Sequence, residues 1–318
     1  MHPIAAILDS LIVYRYSMIL ALASAAGVCF FLACCSFLQI SARQGAATAL
    51  TAVVMSLILS RFVYWYGRPD CFFTLSQAVF STSTEQLALL GAFGGCGLAA
   101  VITGRYIGRT KLLDCMCVGG CPAIALGRLG CFFTDADRGQ IMTHLTGLPW
   151  AWPVANVSGN LEYRFATFLF QGAFAAVIGI FLAAVFFRKK PRQGDVTILF
   201  LLCYCASQIL LDSTRYDSLY LRSNGFVSMV QVTSLATLVI VLTLLCIRVV
   251  QRLGFRNWTI FLWISIASLL GGAGYMEYYV QRHSRQAAFA YSIMGFCLAG
   301  AVALGIFLWR ISLSENND

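Results

Sequence analysis

The chain alternates long apolar stretches with short polar ones, and this pattern predicts its fold before any motif is considered. Nine apolar runs can be recognised, most of them close to the length of about 20 residues that a membrane-spanning helix needs. They cover residues 12–38, 47–66, 87–103, 112–133, 165–187, 196–211, 226–246, 258–276 and 287–308. We therefore predict an all-α, polytopic integral membrane protein with about nine transmembrane helices.

Composition supports this pattern. Hydrophobic residues make up 59% of the chain and charged residues 11%, whereas soluble domains carry about 25% charged residues. The formal net charge is +9, but the basic residues collect in the short segments after the odd-numbered runs. Because Lys and Arg accumulate in cytoplasmic loops, we predict the N-terminus outside and the C-terminus in the cytoplasm. The positive charge therefore indicates membrane orientation and no nucleic-acid partner.

The 13 cysteines do not form a pattern typical of a metal site. Most lie inside the apolar runs, where a thiol behaves as a small hydrophobic group. Cys115, Cys117 and Cys121 are close in sequence, but no matching His or Cys cluster follows them as zinc sites require. We therefore predict neither a metal nor a cofactor.

Three arginines fall at membrane depth, where an ionised group is costly and usually marks a function or an ion pair. Under the predicted topology Arg61, Arg128 and Arg215 all lie toward the outer leaflet. A guanidinium matches phosphate oxygens with a planar fork and keeps its proton, so three at one depth favour a lipid-phosphate site. Two alternatives stay open: Arg61 as an anchor in the headgroups, and Arg215 as the partner of Asp212 or Asp217.

The most informative motif is the segment GRLGCFFTDADRGQ at residues 127–140. It resembles the motif GRxGNFxNxExxG of the prolipoprotein diacylglyceryl transferase family, which consists of bacterial integral membrane enzymes. The matching residues are Gly127, Arg128, Gly130, Phe132 and Gly139. Further features similar to the family follow in the same order along the chain: Tyr16, the pair Arg61 and Tyr64, the stretch Phe93-Gly94-Gly95, Asp114, Leu148–Trp150, and the pair Asp212 and Arg215.

This resemblance covers roughly residues 10–250 and implies two parts of the chain. Residues 1–250 would form the seven-helix core of the family, and residues 251–318 would add two transmembrane helices. The resemblance also implies a multi-pass protein of the bacterial cytoplasmic membrane. Its partners would be a phosphatidylglycerol donor and a secreted precursor peptide or another acceptor at the outer leaflet.

In that family, phosphatidylglycerol gives its diacylglyceryl group to the thiol of a lipobox cysteine, and glycerol 1-phosphate leaves. By position, the resemblance implies that Arg128 and Arg215 clamp the phosphate and stabilise the charge that it gains on leaving. It also implies a set of substrate-binding residues around them: Tyr16, Arg61, Tyr64, Gly94, Gly95, Asp114, Cys131, Thr134, Asp137 and Gly139.

The chain departs from the family pattern at the positions that handle protons. Phe93 stands where the family often has a catalytic His, Cys131 where it has Asn, and Ala136 where it has Glu. A base is still needed, because a cysteine thiol, with a pKa of about 8.5, is mostly protonated at neutral pH. The sequence therefore keeps the residues that hold phosphate and replaces those that move protons.

Three residues beside the motif are candidates for the missing base, namely Asp135, Asp137 and His144. Arg138 follows Asp137 directly and would make that carboxylate less basic. Asp135 lies closer to the membrane edge, where desolvation makes a carboxylate more basic, so we prefer it.

Three functional hypotheses fit these observations. The first is a transferase that moves a diacylglyceryl or related lipid-derived group to a lipoprotein precursor or to a different acceptor. The second is a non-catalytic relative that binds a phospholipid or a partner protein. The third, a transporter of small amphiphiles, is disfavoured because the chain shows no internal repeat of the kind that many transporters contain.

Overall fold

The structure is a computed structural model of the chain. It describes residues 3–68, 71, 74, 76–77, 86–105, 107–134, 136–142, 150–155, 158–189, 191–221, 224–255, 257–282 and 287–313.

Nine α-helices dominate the described residues. They are α1 (Pro3–Phe37), α2 (Ala42–Gly67), α3 (Leu89–Thr103), α4 (Arg109–Gly130), α5 (Thr167–Lys189), α6 (Asp195–Ser213), α7 (Met229–Leu253), α8 (Asn257–Arg282) and α9 (Ala287–Leu313). Eight of these described helices are long and apolar enough to cross a membrane. The prediction of an all-α, polytopic membrane protein is therefore confirmed.

Helix α3 differs from the other eight in its length. It has 15 residues and so spans about 22 Å at 1.5 Å per residue, less than the roughly 30 Å of a bilayer's hydrocarbon core. The third apolar run of the sequence thus forms an apolar helix that is shorter than a typical span.

Two short antiparallel hairpins accompany the helices and were not predicted. Strands β1 (Ala151–Ala155) and β2 (Leu161–Phe165) pair between α4 and α5. Strands β3 (Tyr220–Leu221) and β4 (Asn224–Ser228) pair between α6 and α7. Strands this short carry too few alternating positions to stand out from a loop in the sequence.

The described chain divides into two compact units. The first contains the residues up to Thr197 together with Thr214–Met229, and the second contains Ile198–Ser213 and the chain from Val230 onward. The second unit therefore groups α7 and most of α6 with the last two helices. The predicted boundary near residue 250 stays a prediction.

Within the second unit, α9 packs closely on α6. A Cβ atom added to Gly305 would lie 2.6 Å from Cδ2 of Leu202, so the glycine lets the two helices approach. The hydroxyl of Tyr291 donates to the backbone oxygen of Ser213 at 3.2 Å. Small residues at a helix interface and a polar contact across it are the usual means of helix association in membranes.

Within the first unit, α2 and α3 pack through glycines. A Cβ atom on Gly91 would overlap the backbone of Leu59, and one on Gly95 would overlap the backbone of Ser56. Glycines four residues apart share one helix face and allow two backbones to come together. Gly95, one of the predicted substrate-binding residues, thus faces the α2 backbone, whereas a Cβ on Gly94 would make ordinary contact with the Leu59 side chain at 3.6 Å.

Asp114, another predicted site residue, caps the start of α6. Its buried carboxylate accepts hydrogen bonds from the N–H of Gly194 at 2.7 Å, and from the N–H and hydroxyl of Thr197 at 2.8 and 2.6 Å. The first N–H groups of a helix have no partner within the helix, and a negative charge there is favoured by the helix dipole. Asp114 therefore joins α4 to α6.

The glycine contact predicts opposite effects for two neighbouring glycines of α3. Gly95→Ala should lower the free energy of unfolding by about 1–3 kcal/mol, because the new methyl group overlaps the backbone of α2. Gly97→Ala is the matched control, since nothing lies within 4 Å of its added Cβ, and alanine there should stabilise the helix by up to about 1 kcal/mol. Denaturant titration in detergent micelles, followed by circular dichroism, measures both; equal effects would contradict the close contact.

The hydrogen bonds of Asp114 to the start of α6 predict a loss of stability when its side chain is truncated. Asp114→Ala should lower the free energy of unfolding by about 1–3 kcal/mol for each orphaned N–H group of Gly194 and Thr197. The control is Thr51→Ala, whose hydroxyl donates to Ala47 of its own helix and whose loss should cost no more than about 0.5 kcal/mol. Thermal unfolding in the same micelles compares them, and similar melting curves for the two variants would refute the cap.

Candidate functional site

The end of α4 is shaped by an arginine that comes later in the chain. After Gly130 the chain makes a 3₁₀ turn over Cys131–Phe133. The guanidinium Nη2 of Arg138 donates to the backbone oxygens of Cys131 at 2.8 Å and of Thr134 at 2.7 Å. The carbonyls at a helix C-terminus lack partners within the helix and attract a positive charge. Arg138 therefore fixes the chain that leaves α4.

Aromatic rings surround the same guanidinium. The Cζ atom of Arg138 lies 4.5 Å from the ring centre of Phe168 and 5.4 Å from that of Trp152. Arg138 is only 3% exposed, and a cation over an aromatic face is stabilised there. In the sequence, Arg138 stands out only as the neighbour of Asp137, and its contacts with the end of α4 and with two aromatic rings become visible only in the structure.

The two arginines predicted to clamp phosphate meet at one carboxylate. The Nη1 atom of Arg128 contacts Oδ2 of Asp137, and the Nη2 atom of Arg215 lies 2.7 Å from Oδ1 of the same residue. The three side chains are 11–15% exposed. The structure thus brings together Arg128, Arg215 and Asp137, three of the residues that the sequence predicts for the site.

Asp217 holds this arrangement from the other side. Its Oδ1 accepts from Nε of Arg215 at 3.1 Å and lies 3.0 Å from Nη2 of that residue. Its Oδ2 accepts the backbone N–H of Asp137 at 2.9 Å, where the backbone has a left-handed φ of 58°. Of the two partners that the sequence left open for Arg215, the structure shows Asp217 in contact with it.

Gly139 lets the motif's last segment pass close to α5. Its N–H donates to the backbone oxygen of Phe165 at 2.7 Å, and it forms an antiparallel bridge with Arg215. A Cβ atom at this position would lie 2.7 Å from both Cβ of Phe165 and Oγ1 of Thr167. A glycine is therefore required here for packing, which places Arg215 beside the motif.

Arg128, Arg215, Asp137 and Asp217 are called the cluster below. Three other predicted residues border it. The thiol of Cys131 donates to Oδ2 of Asp137 at 3.4 Å. Tyr16 of α1 packs against the buried group of Cys131 and Phe168, and its ring would be 3.0 Å from a Cβ on Gly130. Thr134 contributes its backbone oxygen to Arg138, as described above.

Two further predicted residues, Arg61 and Tyr64, lie in α2. Arg61 is buried in α2 and donates to the backbone oxygen of Gln86 at 3.1 Å. Tyr64, one turn later, accepts the N–H of Arg68 at 2.9 Å through its backbone oxygen. The side chain of Arg68 in turn reaches the backbone oxygen of Asp217 at 3.4 Å, so α2 is connected to the cluster through Arg68.

Asp114 is distant from the cluster, because 14 residues of α4, or about 21 Å at 1.5 Å per residue, separate it from Arg128. Gly94 and Gly95 belong to the contact between α2 and α3. The two other candidates for the base, Asp135 and His144, lie outside the described residues.

The charges of the cluster balance. Arg128 and Arg215 carry two positive charges, and Asp137 and Asp217 carry two negative ones. A pair of guanidinium forks aimed at one carboxylate presents the donors that a phosphate group also accepts. Among the described residues, no group of three or more His, Cys, Asp or Glu side chains is arranged to hold a metal ion.

Comparison with known proteins identifies the family of the chain. The family model described as prolipoprotein diacylglyceryl transferase matches residues 3–247. A phosphatidylglycerol–prolipoprotein diacylglyceryl transferase from Enterococcus faecalis is 30% identical over 183 residues, which is 55% of this chain and 63% of the relative. One from Synechocystis sp. is 30% identical over 167 residues, 49% of this chain and 58% of the relative.

In both comparisons the aligned part spans less than two thirds of the relative's own length. The family model, in contrast, covers most of this chain, including all of the residues of the cluster. The chain therefore belongs to the prolipoprotein diacylglyceryl transferase family.

Proposed function

We propose that this protein transfers the diacylglyceryl group of phosphatidylglycerol to the cysteine thiol of a prolipoprotein. Family membership supports the reaction type. The observation that carries the proposal is the convergence of Arg128 and Arg215 on one anionic group, Asp137. A phosphate in the same place would meet two guanidinium forks in a site that is largely shielded from water.

The proposed reaction requires a site that stabilises a departing phosphate. The thiolate sulfur of the acceptor attacks the glycerol carbon of the diacylglyceryl group, the S–C bond forms, and the C–O bond to the phosphate breaks. The electron pair of that bond leaves with glycerol 1-phosphate, whose charge changes from −1 to −2. Arg128 and Arg215 stabilise this developing charge. Stabilisation of charge in the transition state by fixed donors is usually the largest single contribution to catalysis.

The site would face the outer side of a bacterial cytoplasmic membrane. Lys and Arg residues follow the odd-numbered apolar runs, which puts the end of α4 outside by the positive-inside rule. A secreted precursor is presented on that side. The exposed apolar side chains of α1 and α2, such as Leu22 and Leu50, suit contact with lipid, which is also the phase that contains the donor.

The proposal gives Arg128 a measurable role. Arg128→Ala should lower kcat/KM by about 10²–10³-fold, because one donor to the departing phosphate is lost. Arg128→Lys should lie between this variant and the natural protein, since it keeps the charge but not the fork. The assay follows glycerol 1-phosphate release and the mass of a lipobox peptide in nanodiscs that contain phosphatidylglycerol.

Arg282→Gln serves as the matched control, since this residue lies over the ring of Tyr278 in α8 and should leave turnover unchanged. Full turnover by Arg128→Ala would contradict the phosphate clamp. Release of glycerol 1-phosphate without a gain in peptide mass would indicate a different acceptor. Bound phospholipid without release would favour a non-catalytic relative over a transferase.

A further inference from the structure

We propose that Asp137 occupies the phosphate position until the donor binds, and that it then takes the proton of the acceptor thiol. This inference rests on the proposed transferase function and names the residue that replaces the family's missing base. It concerns Asp137 because its carboxylate contacts both of the arginines assigned to the phosphate.

The first step is the competition between two anions. One oxygen of the Asp137 carboxylate contacts Arg128, and the other lies 2.7 Å from Nη2 of Arg215. Carboxylates and phosphates both offer paired oxygens to guanidinium forks. The donor phosphate and Asp137 therefore compete for the same N–H groups, and binding of the phosphate must displace the carboxylate.

The second step is that the carboxylate can leave without a change in the backbone. The N–H of Asp137 is held at 2.9 Å by Oδ2 of Asp217, independently of the Asp137 side chain. Asp137 lies in a turn between Cys131–Phe133 and Gly139, with a φ of 58° that is uncommon for a residue other than glycine. Such conformations persist when the surroundings hold them, and they occur frequently at functional sites.

Position in the motif supports the same role. The Glu of the family motif falls on Ala136, and the carboxylate of this chain stands one residue later. The left-handed backbone at Asp137 changes the direction of its side chain relative to an extended or helical residue. A shift of one residue in sequence is thus compatible with a carboxylate at the cluster.

The third step is the transfer of a proton from sulfur to this carboxylate. While Asp137 contacts the two arginines, the thiol of Cys131 donates to Oδ2 of Asp137 at 3.4 Å, which shows that this carboxylate oxygen accepts a hydrogen bond from sulfur. The acceptor thiol would give its proton to Asp137, and its thiolate would attack the donor carbon as described above. The proton on Asp137 then passes to the released glycerol 1-phosphate or to water.

The charges of the cluster link the two proposed roles of Asp137, which are to occupy the phosphate position and to accept the proton of the thiol. With both carboxylates ionised, the four side chains of the cluster carry no net charge, and the buried guanidinium of Arg138 adds one positive charge beside them. When Asp137 takes the proton, the net charge of the cluster becomes +1, while the phosphate changes from −1 to −2. Proton transfer to Asp137 therefore strengthens the hold of Arg128 and Arg215 on the leaving group when its charge increases.

The test compares binding with turnover in two variants of the full-length protein in nanodiscs. Asp137→Asn keeps the shape of the side chain, and Asp137→Gly removes it; both residues accept a left-handed backbone. The binding probe is glycerol 1-phosphate, measured by calorimetry. Turnover is measured with saturating phosphatidylglycerol and a lipobox peptide, and melting temperatures check the fold.

Both variants should bind glycerol 1-phosphate at least about tenfold more tightly than the natural protein, because the carboxylate of Asp137 no longer competes for the two arginines. Their kcat should fall by about 10²–10⁴-fold, because the base is gone. The control is Glu162→Gln, which removes a carboxylate paired with Arg164 at 3.2 Å and should change neither quantity.

Two results would overturn the proposal. Weaker binding in step with lower kcat would mean that Asp137 only keeps the two arginines in place. An unchanged kcat would remove it as the base. If the natural protein shows no turnover at all, the transferase proposal fails and the role as base fails with it, but the binding comparison still decides whether Asp137 occupies the phosphate position.

Discussion

Two like charges converge in this protein because one carboxylate lies between them. Arg128 belongs to the last turn of a long apolar helix, and Arg215 follows the end of another. In a site of low effective dielectric these guanidiniums alone would repel each other strongly. Because Asp137 contacts both, their approach becomes favourable. The motif segment after α4 and the segment around Arg215 are also joined by the backbone bridge between Gly139 and Arg215 and by the contact of Asp217 with the backbone of Asp137, so their relative positions do not depend on the Asp137 side chain alone.

Charges in a shielded place are costly unless they are paired and hydrogen-bonded, and the neighbouring residues supply further partners. Asp217 bonds Arg215 with its side chain and also holds the backbone of Asp137. Arg138 supplies donors to the carbonyls at the end of α4. The removal of one partner would leave an uncompensated charge in a shielded place. The cluster therefore has several connections besides the Asp137 side chain, which is compatible with the proposed exchange of that carboxylate for a phosphate.

The helices could be predicted from sequence because a membrane requires about 20 apolar residues for each crossing, and that pattern is visible in one dimension. Arg128 could be singled out for the same reason, since a charge inside an apolar run is conspicuous. Asp137 and Asp217 lie in polar segments, where a carboxylate is ordinary. Their pairing depends on the path of the chain, which local pattern does not contain. Asp114 illustrates a different limit, because the resemblance implies a role in the site and the structure shows it capping a helix far from Arg128.

The glycines at the contact between α2 and α3 have a consequence for how a lipid reaches the cluster. At Gly91 and Gly95 the two helix backbones touch with no side chains between them. Because no side chains lie between the two backbones at this contact, an acyl chain cannot pass there without separating the helices. Under the proposed function, we therefore expect a donor with two acyl tails to reach the cluster by a route other than this contact.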